Sequence, residues 1–282
     1  MTEATKKPII APPNSVSELN MPAMPTVAVT TVTHWTETLF SFTTERPLSF
    51  RFRSGEFAMI GLYDEAARPI TRAYSIASAN WDDRLAFYSI IVPDGTLTPR
   101  LRHIGVGDRI ILRPKATGTL VLDRLRAGKS LYLLSSGTGI APFIALIRDP
   151  ETYDRFDEVI LTHTCRTNAE LAYGKHQVDS TLKHPLVGTM AMPALRYVPT
   201  VTRDSGTYVG RITHLLRTGQ LHGWLDLPQF DPKYDRVMVC GSIGLNQDMK
   251  GILTKAGFCE GSLTNPAEFV VERAFVGEER VL

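Results

Sequence analysis

Cysteine is scarce, with Cys165, Cys240 and Cys259 the only three in 282 residues. So few thiols cannot build a disulfide framework, and they fit a reducing, cytoplasmic compartment. Nor can they hold a plant-type iron–sulfur cluster, which takes four thiolates, three of them close together. No such cluster is therefore expected within the chain itself. The seven histidines form no His-x-x-x-His pair and no His/Cys grouping with ligand spacing, so no metal is expected. No apolar run reaches the ~18 residues of a membrane span, and no membrane association is expected. Met1 to Asn20 carries two lysines but no apolar stretch of a secretory signal. That segment is rich in Pro, Ser, Thr and Ala and reads as a mobile tail. Charge of one sign is lacking too. The net charge is +2, and no nucleic-acid partner is expected.

What is present is the composition of a globular protein, 43% hydrophobic and 21% charged, and long enough for two domains. From about Thr26 to Pro114 the segments are short and β-rich: Thr38–Thr43, Phe57–Leu62, Arg72–Ser78, Leu85–Val92 and Arg109–Arg113. Turn signals such as Arg53-Ser54-Gly55, Pro93-Asp94-Gly95 and Gly105-Val106-Gly107-Asp108 separate them. This rhythm predicts an antiparallel barrel, with a short helix over Pro99–His103 covering one end. After Leu125-Arg126-Ala127-Gly128 the pattern alternates. Strands are predicted at Ser130–Leu134, Val159–Thr164, Arg196–Thr202, Arg236–Cys240 and Phe269–Glu272. Helices are predicted at Ala141–Arg148, Ala169–Leu182, Ile212–Leu216 and Asn246–Lys255. Alternation of this kind argues for a parallel sheet with helices on both faces. The expected division is a tail over 1–25, a barrel over 26–127 and a Rossmann-like α/β domain over 128–282.

Arg72-Ala73-Tyr74-Ser75 places a cation, an aromatic ring and a hydroxyl within four residues of a strand. Side chains alternate along a strand, so Arg72 and Tyr74 share one face and Ser75 turns to the other. A flavin dinucleotide needs such a set: a cation for the pyrophosphate, a ring to stack, a small polar group near the reactive nitrogen. An ordinary barrel strand would also accommodate these residues. Ser136-Gly137-Thr138-Gly139-Ile140 is a glycine-rich turn at the end of the first α/β strand, where nucleotides bind. It lacks the third glycine of the Rossmann fingerprint. Cys240-Gly241-Ser242 ends a later strand, with a glycine that permits close backbone approach.

Arg-x-Tyr-Ser, then Gly-Thr-Gly-x-Ala-Pro, then Cys-Gly-Ser, in this order and spacing, resembles the ferredoxin–NADP(+) reductase family. The ending Ala274-Phe275-Val276-Gly277 resembles its bacterial, ferredoxin/flavodoxin-reducing branch. The resemblance spans about residues 25–282. It implies bound FAD, NADP(H) as coenzyme, and hydride transfer between nicotinamide C4 and flavin N5. Single electrons would then pass to a small carrier. It further implies that FAD meets Arg72, Ala73, Tyr74, Ser75, Ile90, Val92, Gly95, Leu97, Thr98, Ala274 and Phe275. NADP would meet Gly137, Thr138, Gly139, Cys240, Gly241 and Ser242. Ser75, Cys240 and Glu272 would surround the reacting atoms. Relatives in the bacterial branch usually carry Lys where Ile91 stands, so one phosphate-side cation is missing or replaced.

Arg166, Arg203 and Arg211 follow strands or open a helix in the α/β half. Arginines suit a ribose 2′-phosphate, where an acid would suit a bare hydroxyl, and they favour NADP. Residues 40–130 hold fourteen Lys/Arg against nine Asp/Glu. That excess suggests a basic face at Arg51, Arg53, Arg68 and Arg84 that steers an acidic ferredoxin or flavodoxin; a solvated basic face is the plainer alternative. The chain is expected to act as a monomer. A free-flavin reductase, an oxygenase-feeding reductase and a non-catalytic flavin-binding redox sensor remain alternatives on this fold.

Overall fold

A computed structural model describes residues 24–273. All but the last two residues of the expected tail, and Ala274 and Phe275, lie outside the described residues.

Six strands form the first sheet: β1 (Thr26–His34), β2 (Leu39–Glu45), β3 (Phe57–Tyr63), β4 (Pro69–Ser75), β5 (Arg84–Ile90) and β6 (Arg109–Thr117). Their order is β4-β3-β6-β1-β2-β5, antiparallel throughout. Alternation writes the strands. In β2, Phe40, Phe42 and Thr44 are buried, and in β5 Leu85, Phe87 and Ser89 are. These rings meet inside, Phe42 and Phe87 with centroids 5.4 Å apart. Gly61 in β3 is required by packing, because a Cβ there would lie 1.8 Å from the Ile70 carbonyl oxygen of β4. The edge strands β4 and β5 close the barrel without a full ladder. The Ala77 N–H donates to the Ala86 carbonyl at 2.8 Å, and Tyr74 Oη lies 3.0 Å from Ser89 Oγ. A short helix, α1 (Thr98–Leu101), buries Leu101 against the barrel core.

The second sheet is parallel, with order β11-β10-β7-β8-β9. Its strands are β7 (Ser130–Ser136), β8 (Glu158–Cys165), β9 (Leu195–Val201), β10 (Asp235–Gly241) and β11 (Phe269–Arg273). Helices α2 (Ala141–Ile147), α3 (Pro150–Arg155), α4 (Ala172–Leu182), α5 (Gly188–Ala194), α6 (Ile212–Arg217), α7 (Gln220–Leu225) and α8 (Ile243–Lys255) connect them. β10 is buried along its whole length, as a strand covered on both faces must be. From β7 the chain builds outward to β8 and β9, then returns on the other side as β10 and β11. The order therefore reverses between β7 and β10, and such a reversal opens a crevice beyond the strand carboxyl ends. Ser242 begins α8 as its N-cap, accepting the Leu245 N–H at 3.2 Å, so the helix starts three residues earlier than expected. Helices α3, α5 and α7 were not expected; each is short, and periodicity over two turns is weak. Among the described residues no helix is long and apolar enough to cross a membrane.

One hydrophobic core runs from barrel to α/β sheet. Leu39, Ala77 and Tyr88 of the barrel and Leu120 of the connection pack in the same cluster as Ile140, Phe143 and Tyr173. Tyr88 stacks on Tyr173 of α4, centroids 3.9 Å apart and planes 12° apart, and Trp35 meets Tyr173 edge-on at 5.5 Å. Polar links surround this stack. Asn80 donates to Asp149 at 3.0 Å, and Arg148 pairs with Asp82 at 3.1 Å. Tyr88→Ala should therefore loosen both halves, costing about 3–5 kcal/mol as other buried aromatic truncations do. Urea unfolding of the FAD-loaded protein measures this; a loss below about 1 kcal/mol would show that the stack is not structural.

Candidate active site

The turn after β5 is tightly wound. The Gly95 N–H donates to the Val92 carbonyl at 2.9 Å, which closes Val92-Pro93-Asp94-Gly95 as a β-turn. Thr98 Oγ1 accepts the Val92 N–H at 2.9 Å and donates back to the Val92 carbonyl. Against this turn lies the half-buried Arg72 guanidinium, which donates to Thr96 Oγ1 at 3.0 Å and to the Thr71 carbonyl at 2.9 Å. No carboxylate among the described residues pairs with it. A cation beside a glycine turn, without an internal counter-ion, suits a phosphate. Tyr74 stands edge-on to Phe87, and burial pushes its hydroxyl up to about 12. Ala73 is exposed and Ile90 half-buried. Leu97 and Thr98 differ from expectation: both side chains are buried, Leu97 in the barrel core, so they shape the turn from inside. Ile91 is also in that core, 7% exposed, and its position does not offer a cation to the site.

At the crevice the ends of β7 and β10 almost touch. A Cβ on Gly139 would lie 2.2 Å from the Cys240 carbonyl oxygen, and one on Gly241 would lie 2.3 Å from Ser136 Oγ. At Gly139 the obstacle is backbone, so only glycine permits the approach; at Gly241 it is the Ser136 and Leu245 side chains. The Ser242 N–H donates to Ser136 Oγ at 3.3 Å and ties the two turns. Gly137, at φ 54°, has open space where a Cβ would stand, so its need for glycine is conformational. The three expected arginines gather on the neighbouring strand ends. The Arg203 N–H donates to the Arg166 carbonyl at 2.9 Å, and Gly210, just before Arg211, donates to Val201 at 2.9 Å. All three side chains are exposed, and none pairs with a carboxylate among the described residues.

Ser75, Cys240 and Glu272 come from three strands. Cys240 pairs in register with Glu272. The Glu272 carboxylate crosses to the connection after β6, where Oε2 accepts the Thr119 N–H at 2.8 Å and the Thr119 hydroxyl at 3.0 Å. Burial pushes Glu272 above the usual carboxylate range, against the opposing effect of the Thr119 hydrogen bonds. Cys240 is completely buried, and burial with the nearby Glu272 holds its thiol well above its ordinary value. It is a neutral thiol, not a nucleophile. Ser75 faces Phe57 across β3, and its hydroxyl has no partner among the described residues. Ala77, two residues on, belongs to the same buried cluster as Ile140 of the glycine turn.

The expected basic face is not assembled. Arg53 pairs with Glu56 and Asp123, at 2.9 and 3.0 Å, and Arg68 pairs with Asp64 at 2.9 Å. They lie at opposite ends of β3, about 20 Å apart at ~3.3 Å per residue. Arg51 and Arg84 are exposed without a carboxylate partner among the described residues. Net charge along a sequence segment cannot report which charges neutralise each other in space. Sequence reading also missed His163. It is fully buried under the glycine turn, with Nε2 3.1 Å from the Gly137 carbonyl and Nδ1 3.2 Å from Tyr197 Oη. A lone histidine within an apolar strand gives no signal of this.

The barrel, the parallel sheet and the crevice beyond β7 and β10 define a two-domain nucleotide-binding oxidoreductase fold. The solved ferredoxin NADP+ reductase of Neisseria gonorrhoeae, which holds FAD and NADP, superposes with a TM-score of 0.81. It is 29% identical and covers 90% of this chain and 100% of its own. The flavodoxin/ferredoxin–NADP reductase of Rhodobacter capsulatus is 55% identical over 250 residues, 89% of this chain and 93% of that protein. The ferredoxin–NADP reductase of Pseudomonas aeruginosa is 45% identical over 252 residues, 89% and 97% of the two chains. No family model matches. The chain belongs to the bacterial ferredoxin/flavodoxin–NADP(+) reductase family.

The raised Glu272 carboxyl has a consequence for stability. The folded state keeps this proton at a pH where an unfolded carboxyl, ordinarily at 4.5, has lost it. Its contribution is complete below pH 4.5 and is lost as pH rises through the folded value. Glu272→Gln cannot ionise, so wild type should lose urea resistance relative to it between pH 4.5 and 7.5. A difference constant over that range would show that the carboxyl is not held up.

Proposed function

We propose that Arg72, Tyr74, Ser75 and the Val92–Gly95 turn hold FAD, and that the β7–β10 crevice receives NADP(H). The chain is a ferredoxin/flavodoxin–NADP(+) reductase, an FAD-dependent oxidoreductase. When bound, FAD supplies the redox chemistry, accepting two electrons together and releasing them singly. The observation that carries the site reading is the shared core beneath it, a single buried cluster that includes both Ala77, two residues after Ser75, and Ile140 of the glycine turn. Two half-sites on separate sheets are thereby held in one place, and positioning is the protein's largest contribution to a transfer reaction.

Each side chain has a task set by its surroundings. Arg72 offers positive charge to the flavin pyrophosphate beside the Gly95 turn. Gly139 and Gly241 let the turns after β7 and β10 close on each other, with the neutral Cys240 buried beneath them. Ser75 presents its hydroxyl where the two halves meet, and burial biases the Glu272 carboxyl toward its protonated form. Arg166, Arg203 and Arg211 bind the 2′-phosphate. The division at about residue 127 separates the two tasks, flavin holding before it and coenzyme binding after it. The carrier is a ferredoxin or flavodoxin, and Arg51 and Arg84, exposed without a carboxylate partner among the described residues, are the arginines free to meet an acidic one.

Arg203→Ala and Arg211→Ala should each raise the NADPH KM roughly 10- to 150-fold, the value of ~1.5–3 kcal/mol for a lost charge-assisted contact. NADH turnover should hardly change, and equal harm to both coenzymes would reassign the arginines. Stopped-flow bleaching by NADPH, followed by carrier reduction, separates the other roles. Ser75→Ala should slow bleaching about 10²-fold at saturating NADPH with FAD retained. Below saturation the carrier phase should slow as salt rises, because exposed charges steer association. Unchanged bleaching removes Ser75 from the reaction, and a salt-independent carrier phase removes the steering.

A further inference from the structure

Beneath the glycine turn lies a buried polar cluster to which the reaction above gives no task. His163, Cys165 and Tyr197 come from β8 and β9, and all three meet under Gly137. His163 is 0% exposed in the centre of the cluster. Its protonation pattern follows from its partners. The Gly137 carbonyl can only accept, so His163 Nε2 carries the proton and donates to it at 3.1 Å. Nδ1 is then bare and accepts from the Tyr197 hydroxyl at 3.2 Å. Cys165 Sγ lies 3.2 Å from the same Nε2–H and sends its own proton to the Glu170 carbonyl at 3.7 Å. Every proton in the cluster has a place, and the imidazole is neutral; burial lowers its pKa to about 4.

The cluster is built at some cost in packing choice. A Cβ on Gly174 of α4 would lie 2.5 Å from His163 Nδ1 and 2.6 Å from Tyr197 Oη. A helix interior favours alanine over glycine by about 1 kcal/mol. Here the hydrogen-bonded pair occupies the space that a methyl would take.

What the pair holds is the orientation of one peptide plane. In a trans peptide the C=O and the following N–H point in opposite directions. With the Gly137 carbonyl turned onto His163, the Thr138 N–H points the opposite way, away from the buried cluster. We propose that His163, kept in one tautomer by Tyr197, is a positioning residue that aims the Thr138 N–H at the coenzyme's pyrophosphate. The unusual φ of 54° at Gly137 fits this arrangement: the plane is fixed from below, and glycine lets the chain follow. The inference rests on the coenzyme-site reading given above.

Binding, read without turnover, tests it. NADP+ and adenosine 2′-monophosphate, which lacks the pyrophosphate, are titrated into FAD-loaded protein by calorimetry. His163→Leu keeps the packing volume but offers no donor, and it should weaken NADP+ about tenfold while 2′-monophosphate affinity stays within about twofold. His163→Gln, which can still donate toward Gly137, should recover most of the loss. Equal NADP+ affinity in wild type and His163→Leu would overturn the proposal, as would equal losses for both ligands. If wild type binds neither ligand, the coenzyme-site reading falls and this inference falls with it. Should His163→Leu not fold, Tyr197→Phe decides. Weakening of NADP+ alone by about threefold or more supports the proposal, and unchanged affinity overturns it.

Discussion

The stacked pair of Tyr88 and Tyr173, with the apolar cluster around it, is the contact on which the rest depends. Neither half carries a complete site. The barrel holds the cation, the ring and the turn of Val92–Gly95, and the parallel sheet holds the crevice and the arginines. Only their common core sets one against the other, and tight packing leaves such a core little freedom to slide. The polar links around it, Asn80 with Asp149 and Arg148 with Asp82, add direction where packing alone would allow rotation.

A second constraint is the narrowness of the crevice. The chain reverses its strand order between β7 and β10, and the turns beyond those strands meet closely enough to demand Gly139. Burial biases the titratable groups near the strand ends toward their neutral forms. Cys240 stays a thiol, His163 an unprotonated imidazole, and Glu272 is pushed toward its protonated form. Arginines without a carboxylate partner among the described residues stand at Arg72 on one side and at Arg166, Arg203 and Arg211 on the other. That distribution suits a ligand that is anionic along its length and uncharged in one of its flat ends.

Some of this was legible in the residues as written. The short strands of the barrel alternate every second residue, and the later strands are continuous apolar runs, so the change near residue 127 could be read from rhythm alone. The glycine turns were legible because no other residue serves there. The carrier face was not. Arg53 and Arg68 are separated by fifteen positions and look equivalent in sequence, yet each is spent on an acidic neighbour at an opposite end of β3. Ile91 and Leu97 sit within a motif-bearing stretch, yet both point into the barrel.

The sequence by itself determined the local structure: where strands run, where the chain must turn, and which motifs stand at strand ends. Those follow from side-chain periodicity and backbone freedom, which act over a few residues. Its ordered motifs also sufficed to indicate the family. The tertiary structure alone decided which groups meet. Glu272 reaches Thr119 across 153 positions, Tyr88 finds Tyr173, and His163 comes to lie beneath Gly137. Contacts of that kind depend on how two sheets dock. Docking is set by the summed shape of a shared core, which no single stretch of sequence displays.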